Sequence, residues 1–253
     1  MRLKDRVAIV TGGGSGIGAG IAKRFAEEGA QLVIADLNGN NAETIAEEIR
    51  RNQAKACALE VDVTDYDAAG DLISSTINEF GTVDVLVNSA GTSRHMTFLD
   101  AKPEDFQAIM KVNLEGTMYC GQHAGRVMVD KGYGRIVNIA SISGERAGIG
   151  RTGYGVSKFA VIGLTKQMAL ELGPQGVTVN TVGPGPVDTP LTKIAHSKET
   201  RRAYLDLIPL NRYGKIEEMA DAAAYLAGEQ AAYVNGHILF VDGGFVSVGI
   251  QRE

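Results

Sequence analysis

The sequence predicts an α/β fold: a single doubly wound parallel β-sheet of about seven strands with helices on both faces. Short apolar runs alternate with longer helical patterns along the whole chain. The runs are rich in Val, Ile and Leu and lack a clean polar alternation, as parallel strands buried on both faces do. A glycine-rich stretch stands between the first run and the first helical pattern. At 253 residues the chain is long enough for a two-sided core.

Met1–Arg6 leads straight into the first strand, Val7–Val10, with no apolar core of a signal peptide. A helix near 16–29 follows, then a strand at Gln31–Ala35, a helix near 41–51 and a strand at Lys55–Val61. The pattern continues with a helix near 66–79, a strand at Val83–Val87, one long helix near 103–129 and a strand at Arg135–Ile139. In the helix near 153–172, Val161, Leu164, Met168 and Leu172 share one stripe. Val177–Val182 is the sixth strand, and a helix near 216–228 precedes the last strand, His237–Val241. The irregular stretch around 185–212 is the longest without a clear pattern. In a compact α/β fold such a stretch is more often a binding element than an accident, and a short helix is expected near 190–206. With no linker, low-complexity tract or repeat, residues 1–253 read as one domain carrying a substrate lid.

Composition narrows the function classes. A net charge of −5 gives no reason to expect nucleic acid, and no basic run suggests a membrane surface. No apolar stretch approaches the roughly 20 residues of a spanning helix. Cys57 and Cys120 lack metal-ligand or disulfide spacing and read as buried small apolar residues, which fits a reducing cytoplasm.

Thr11-Gly-Gly-Gly-Ser-Gly-Ile-Gly18 follows the first strand and opens the first helix. Gly12, Gly16 and Gly18 allow a tight turn, a pyrophosphate close to the backbone, and close helix–sheet packing. Ser15, Gly16 and Ile17 stand at the helix N-terminus, where free N–H groups and the positive dipole end favour phosphates. Asp36 ends the second strand, eighteen residues after Gly18, where a carboxylate can accept from the adenosine ribose hydroxyls and repel a 2′-phosphate. Ser15, Leu37 and Asn38 supply no cation for that phosphate, so NAD is expected rather than NADP.

Tyr154 and Lys158 are four apart on one helix and reach one small site; Ser141 lies thirteen residues before the tyrosine. A free tyrosine has a pKa near 10, and working near neutral pH requires roughly 4 kcal/mol of stabilisation of its anion. An ammonium about 4 Å away at an effective dielectric near 20 supplies about that much. The pair is therefore a device for moving a proton on or off an alcohol.

The ordered series Thr11–Gly18, Asp36, Asp62-Val63, Asn88-Ser-Ala-Gly91, Asn113, Ser141, Tyr154–Lys158, Asn180-Thr-Val-Gly-Pro-Gly185 and Val241-Asp-Gly-Gly244 resembles the short-chain dehydrogenase/reductase family over essentially the whole chain. The resemblance implies a Rossmann-like fold and an NAD-dependent oxidoreductase acting on CH–OH donors. It implies that Asp62 and Val63 meet the adenine, and that Asn88, Ala90 and Gly91 line the cofactor crevice. Ser89 departs from the family's usual second asparagine. Pro184, Gly185, Val187 and Thr189 would hold the nicotinamide amide and the diphosphate. Tyr154 would take the alcohol proton, Lys158 would lower its pKa and bind the nicotinamide ribose, Ser141 would steady the substrate oxygen, and Asn113 would hold a water of the proton relay. No metal is expected.

Substrate contacts are expected from Thr92–Phe98, Ser143–Thr152 and Gly185 to Leu210, with Arg94, His95, Ser143, Arg146 and Arg151 as candidates for a hydroxylated or anionic substrate. Charged loop residues usually face water, and His196–Arg202 reads as a solvated helix face. The long helices near 103–129 and 153–172 match the family's subunit-pairing helices, so a homotetramer is expected. The leading expectation is an NAD-dependent alcohol dehydrogenase or carbonyl reductase on a small secondary alcohol, polyol or sugar-like compound. The alternatives are a 3-oxoacyl reductase and a catalytically idle NAD-sensing protein.

Overall fold

Seven parallel strands form the centre of the computed structural model, which describes residues 1–189, 192, 196–247 and 249. They are β1 (Val7–Thr11), β2 (Gln31–Asp36), β3 (Ala56–Glu60), β4 (Val85–Asn88), β5 (Gly134–Ile139), β6 (Val177–Pro184) and β7 (Ile238–Val241), in the order β3-β2-β1-β4-β5-β6-β7. The order reverses between β1 and β4, which opens a crevice at the carboxyl ends of the strands.

Period-two alternation serves two cores. Ala8, Val10, Leu32, Ile34, Val85, Val87 and Val137 point into one apolar cluster, while Ile9, Val33, Ala35, Leu86 and Ile136 point into the other. The first is covered by α1 (Gly16–Glu27), α2 (Gly39–Arg51) and α8 (Ile216–Ala227), through residues such as Phe25, Ile45 and Met219. The second is covered by α3 (Tyr66–Phe80), α5 (Gly116–Lys131) and α6 (Thr152–Leu172), through Leu72, Cys120 and Ala169. This double covering explains why no strand shows a polar face in the sequence.

The expected long helix near 103–129 is divided. Helix α4 (Pro103–Met110) passes through a π-helical turn at Lys111–Glu115 before α5 begins. Asn113 sits in that turn and is 1% exposed. The expected helix near 190–206 is present as α7 (Lys198–Leu205), capped by the Ser197 hydroxyl accepting from the Thr200 amide at 3.2 Å. Residues 190, 191 and 193–195 of that expectation lie outside the described residues. Among the described residues, no helix is long and apolar enough to cross a membrane.

Candidate active site

The glycine loop lies against the sheet at the switch point. A Cβ on Gly12, whose φ is +63°, would stand 2.7 Å from the Ala90 Cα, and one on Gly18 would stand 2.2 Å from the Gly12 carbonyl oxygen. Any side chain at either position would push the loop off the sheet. The Gly14 amide donates to Asp36 Oδ2 at 2.9 Å and the Asn38 amide to its Oδ1 at 3.0 Å, so Asp36 is fixed as the wall of the loop. The Ser15 side chain makes no capping bond at α1, and a Cβ on Gly16 would meet nothing within 4 Å. Uncapped helix donors facing open space are what a pyrophosphate requires, so the residues present fit a dinucleotide.

The remaining cofactor candidates surround this loop with differing side-chain roles. Thr11 anchors the end of β4, its hydroxyl accepting from the Ser89 and Ala90 amides at 3.2 and 3.3 Å. Ala90 thereby stands next to Gly12, while Gly91 faces Asn113 and Lys158. The Asn88 side chain is buried within the sheet and donates to Asn138 Oδ1 at 2.9 Å. Asp62 is exposed and accepts from the Thr64 amide at 2.9 Å, closing the turn after β3. Val63 is buried against Gly116. Pro184 ends β6, the Gly185 amide donates to the Val241 carbonyl at 3.0 Å, and Val187 pairs with Gly214. Thr189 is buried and its amide donates to the Thr192 hydroxyl at 3.0 Å.

Ser141, Tyr154 and Lys158 converge at the carboxyl edge of β5. Ser141 lies two residues beyond the strand and accepts from the Ser143 amide at 3.1 Å, which fixes the turn at Ile142–Gly144. A Cβ on Gly144 would stand 2.8 Å from the Lys158 carbonyl oxygen, so glycine lets this turn rest directly on α6. The Ser141 hydroxyl lies close enough to the Tyr154 phenol to act on its pKa. Burial pushes the phenol's pKa up, the Ser141 hydroxyl and the Arg151 charge pull it down, and Tyr204 pushes it up. Lys158 is 6% exposed and donates to the Ile139 carbonyl at 2.7 Å. Burial pushes its pKa down from 10.5 to about 8. Its Nζ stands 5.7 Å from the Tyr154 ring centroid, and the guanidinium carbon of Arg151 stands 5.5 Å from it. The Tyr154 pKa is raised overall, by burial first, and the groups that pull it down are Ser141 and Arg151; the expected lowering by Lys158, aided by the charge of NAD⁺, is not seen in the protein alone.

Asn113 holds the surroundings together. Its amide nitrogen donates to the Thr92 carbonyl at 3.0 Å and to the Ser157 hydroxyl at 2.9 Å, and its Oδ1 accepts from the Thr92 amide at 2.8 Å. The side chain thus clamps the loop after β4 to α6. Asn113 Oδ1 and Lys158 Nζ lie 3.4 and 3.7 Å from the position a Cβ would take on Gly91.

Comparison with known proteins follows the same outline. A family model described as enoyl-(acyl carrier protein) reductase matches residues 12–246. The chain belongs to the short-chain dehydrogenase/reductase family. It is an oxidoreductase acting on CH–OH donors, in a family that uses NAD(P)(H). The 3-oxoacyl-[acyl-carrier-protein] reductase FabG of Thermotoga maritima is 37% identical over 246 residues, covering 97% of this chain and 100% of that one. The D-threitol dehydrogenase of Mycolicibacterium smegmatis is 38% identical over 247 residues, covering 96% and 94%. A 7α-hydroxysteroid dehydrogenase solved with NADH and 7-oxo glycochenodeoxycholic acid superposes with a TM-score of 0.93, with 34% identity over 99% of this chain and 96% of that one.

Within this short-chain dehydrogenase/reductase the substrate candidates separate into two groups. Arg94 is paired with Asp105, and Arg146 donates to the Phe245 carbonyl at 2.8 Å, so each has a partner within the protein. Ser143 is buried behind Ser141. Arg151 and His95 remain at the mouth. Arg151 donates to the Ser93 hydroxyl at 3.1 Å and has no carboxylate partner among the described residues. A Cβ on Gly150 would stand 2.2 Å from the His95 ring, so that ring lies flat on the Gly150 backbone.

His196, expected on a solvated face, is half-buried among aromatic rings. His196 stacks on Tyr204 with ring centroids 5.4 Å apart, and its Nδ1 is 3.0 Å from the Tyr213 hydroxyl. Tyr204 also packs on Phe245, at 6.0 Å between centroids, and acts on the Tyr154 phenol through space. Burial, Arg151 and Arg201 all push the His196 pKa down. The aromatic series His196, Tyr204 and Tyr213 is spaced eight and nine residues apart, and the fold brings the three rings together.

Proposed function

We propose that this protein is an NAD(H)-linked ketoreductase that interconverts a secondary alcohol and its ketone, with a 3-oxoacyl thioester as substrate class. The observation that carries it is the meeting of Tyr154, Ser141 and Lys158 beside the glycine loop. In reduction, the Tyr154 phenol gives its proton to the carbonyl oxygen while the Ser141 hydroxyl bonds the same oxygen. Lys158 stabilises the tyrosinate that remains, and Arg151 adds to that field. Asn113 keeps the loop at Thr92 and helix α6 in register so that these groups stay aligned. A nicotinamide cofactor held by the glycine loop and Asp36 would supply or accept the hydride.

Cofactor and substrate are read from opposite ends of the crevice. Asp36, with no cation at Ser15, Leu37 or Asn38, supports NAD. That choice concerns the adenosine end only and leaves the substrate end free to resemble the 3-oxoacyl reductases among the relatives, which support this substrate better than a polyol. Phe98, Leu99 and Ile149 are exposed on the two loops that meet at Met96 and Arg151, and Tyr204 and Phe245 lie over the site. Such apolar and aromatic surroundings suit an acyl chain. Arg151 and its Ser93 partner favour a second reading, a polyol or hydroxy acid, as does the D-threitol dehydrogenase relative. Exposed Val156, Phe159 and Leu170 on α6 support self-association, with a homotetramer as the proposed state. Burial pushes the Cys57 and Cys120 thiols up to about 11 and about 12, so both stay protonated near neutral pH, and a cytoplasmic location is part of this proposal.

The test is turnover with NADH and NADPH against a 3-oxoacyl thioester, and with NAD and NADP against polyols and hydroxy acids. NADH-dependent reduction of the thioester is expected to dominate. Activity confined to polyols would replace the substrate class, and preference for NADPH would overturn the cofactor assignment.

A further inference from the structure

Glu60 stands outside the roles assigned so far. It closes β3 and is the cross-strand neighbour of Asp36 on β2. It is exposed, and among the described residues it has no cationic partner. A Cβ placed on Gly39 would lie 2.6 Å from Glu60 Oε2, so the carboxylate rests against the first residue of α2. An open cleft there is lined by Asp36, Leu37, Asn38, Gly39, Asn40 and Glu60, two carboxylates and no Lys or Arg.

A helix N-terminus next to the adenosine ribose is where a phosphate would be welcome, because unpaired amides and the dipole both favour an anion. In this chain the favourable field of α2 falls on Glu60. The Asn38 side chain accepts from the Asn41 amide at 3.1 Å, which removes one of the remaining donors. Asp36 has an oxygen bonded to each of the Gly14 and Asn38 amides, which holds its carboxylate toward the same ledge. A dianionic 2′-phosphate entering the cleft would face negative charge from both strands.

We propose that Glu60 is a second cofactor-selecting residue, which together with Asp36 closes the ledge beside the adenosine ribose to a 2′-phosphate and leaves it open to a 2′-hydroxyl. This inference rests on the NAD reading above. Its sequence signal is weak, since only the register of β2 against β3 brings position 60 beside position 36.

Isothermal titration of the full-length protein with NADH and with NADPH tests it, on wild type, Glu60→Gln and Glu60→Arg. The ratio of the NADPH to the NADH dissociation constant is expected to fall about fivefold in Glu60→Gln, and further in Glu60→Arg, as a like charge is removed and then reversed. In wild type the ratio is also expected to fall on going from about 0.02 M to about 0.5 M salt, because exposed repulsion is screened. That salt dependence shrinks in Glu60→Gln. An unchanged ratio in both variants, with NADH still preferred, would overturn the role of Glu60 and leave the NAD reading standing. Wild-type protein that binds NADPH as tightly as NADH would instead overturn the NAD reading itself.

Discussion

Replacing Lys158 by Met should stabilise the fold while abolishing turnover. The lysine is 6% exposed and its pKa falls from 10.5 to about 8 through burial, so keeping it charged in the folded state costs about 3 kcal/mol. Methionine fills a similar volume without the charge and gives up the hydrogen bond to the Ile139 carbonyl, which is worth about 1 kcal/mol. The net gain at pH 7 is about 2 kcal/mol. Because the folded pKa is the lower one, the penalty in wild type is fully present below pH 8 and disappears as pH rises toward 10.5. The gain should therefore shrink across that window and reverse above it, leaving the variant about 1 kcal/mol less stable when only the lost hydrogen bond remains. Urea unfolding of both proteins at equal concentration, at pH 7, 9 and 10.5, measures the difference. A variant less stable than wild type at pH 7, or a difference that does not change with pH, would refute the reasoning.

Two further perturbations probe the same site. Arg151→Met removes a charge that pulls the Tyr154 pKa down, so the alkaline limb of the reduction rate should move to higher pH; pH–rate profiles at saturating cofactor check this, and an unmoved limb would remove Arg151 from the field acting on the phenol. Asn113→Ala leaves the Thr92 amide, the Thr92 carbonyl and the Ser157 hydroxyl without their partner, and should lower stability by about 1–3 kcal/mol and depress turnover together; urea titration alongside steady-state kinetics reads both.

The strands were legible because their composition reflects one physical demand, burial on both faces, and their observed limits differ from the expected ones by one or two residues. Asp36 was legible because a strand end after a glycine loop has a fixed place in such a sheet. What the sequence hid were partnerships made across the fold. The pairing of Arg94 with Asp105 and the bond from Arg146 to the Phe245 carbonyl are of this kind. Asn113 looked like an unfavourable residue inside one long helix. The structure shows a π-turn whose side chain ties a loop to α6, a break that periodicity averaged over four turns conceals. Tyr204, Tyr213 and His196 belong to a lid whose helix buries none of its residues, so no apolar stripe announced where it would dock. Glu60 needed strand register, which no linear spacing encodes.

The most direct test of the central claim, that Tyr154 exchanges the proton at a bound dinucleotide, is single-turnover oxidation of NADH by a 3-oxoacyl thioester on Tyr154→Phe, with every active site loaded with NADH. Loss of about 10²- to 10⁴-fold in rate, at an NADH dissociation constant close to that of wild type, is the predicted result. A rate within a few-fold of wild type would contradict it.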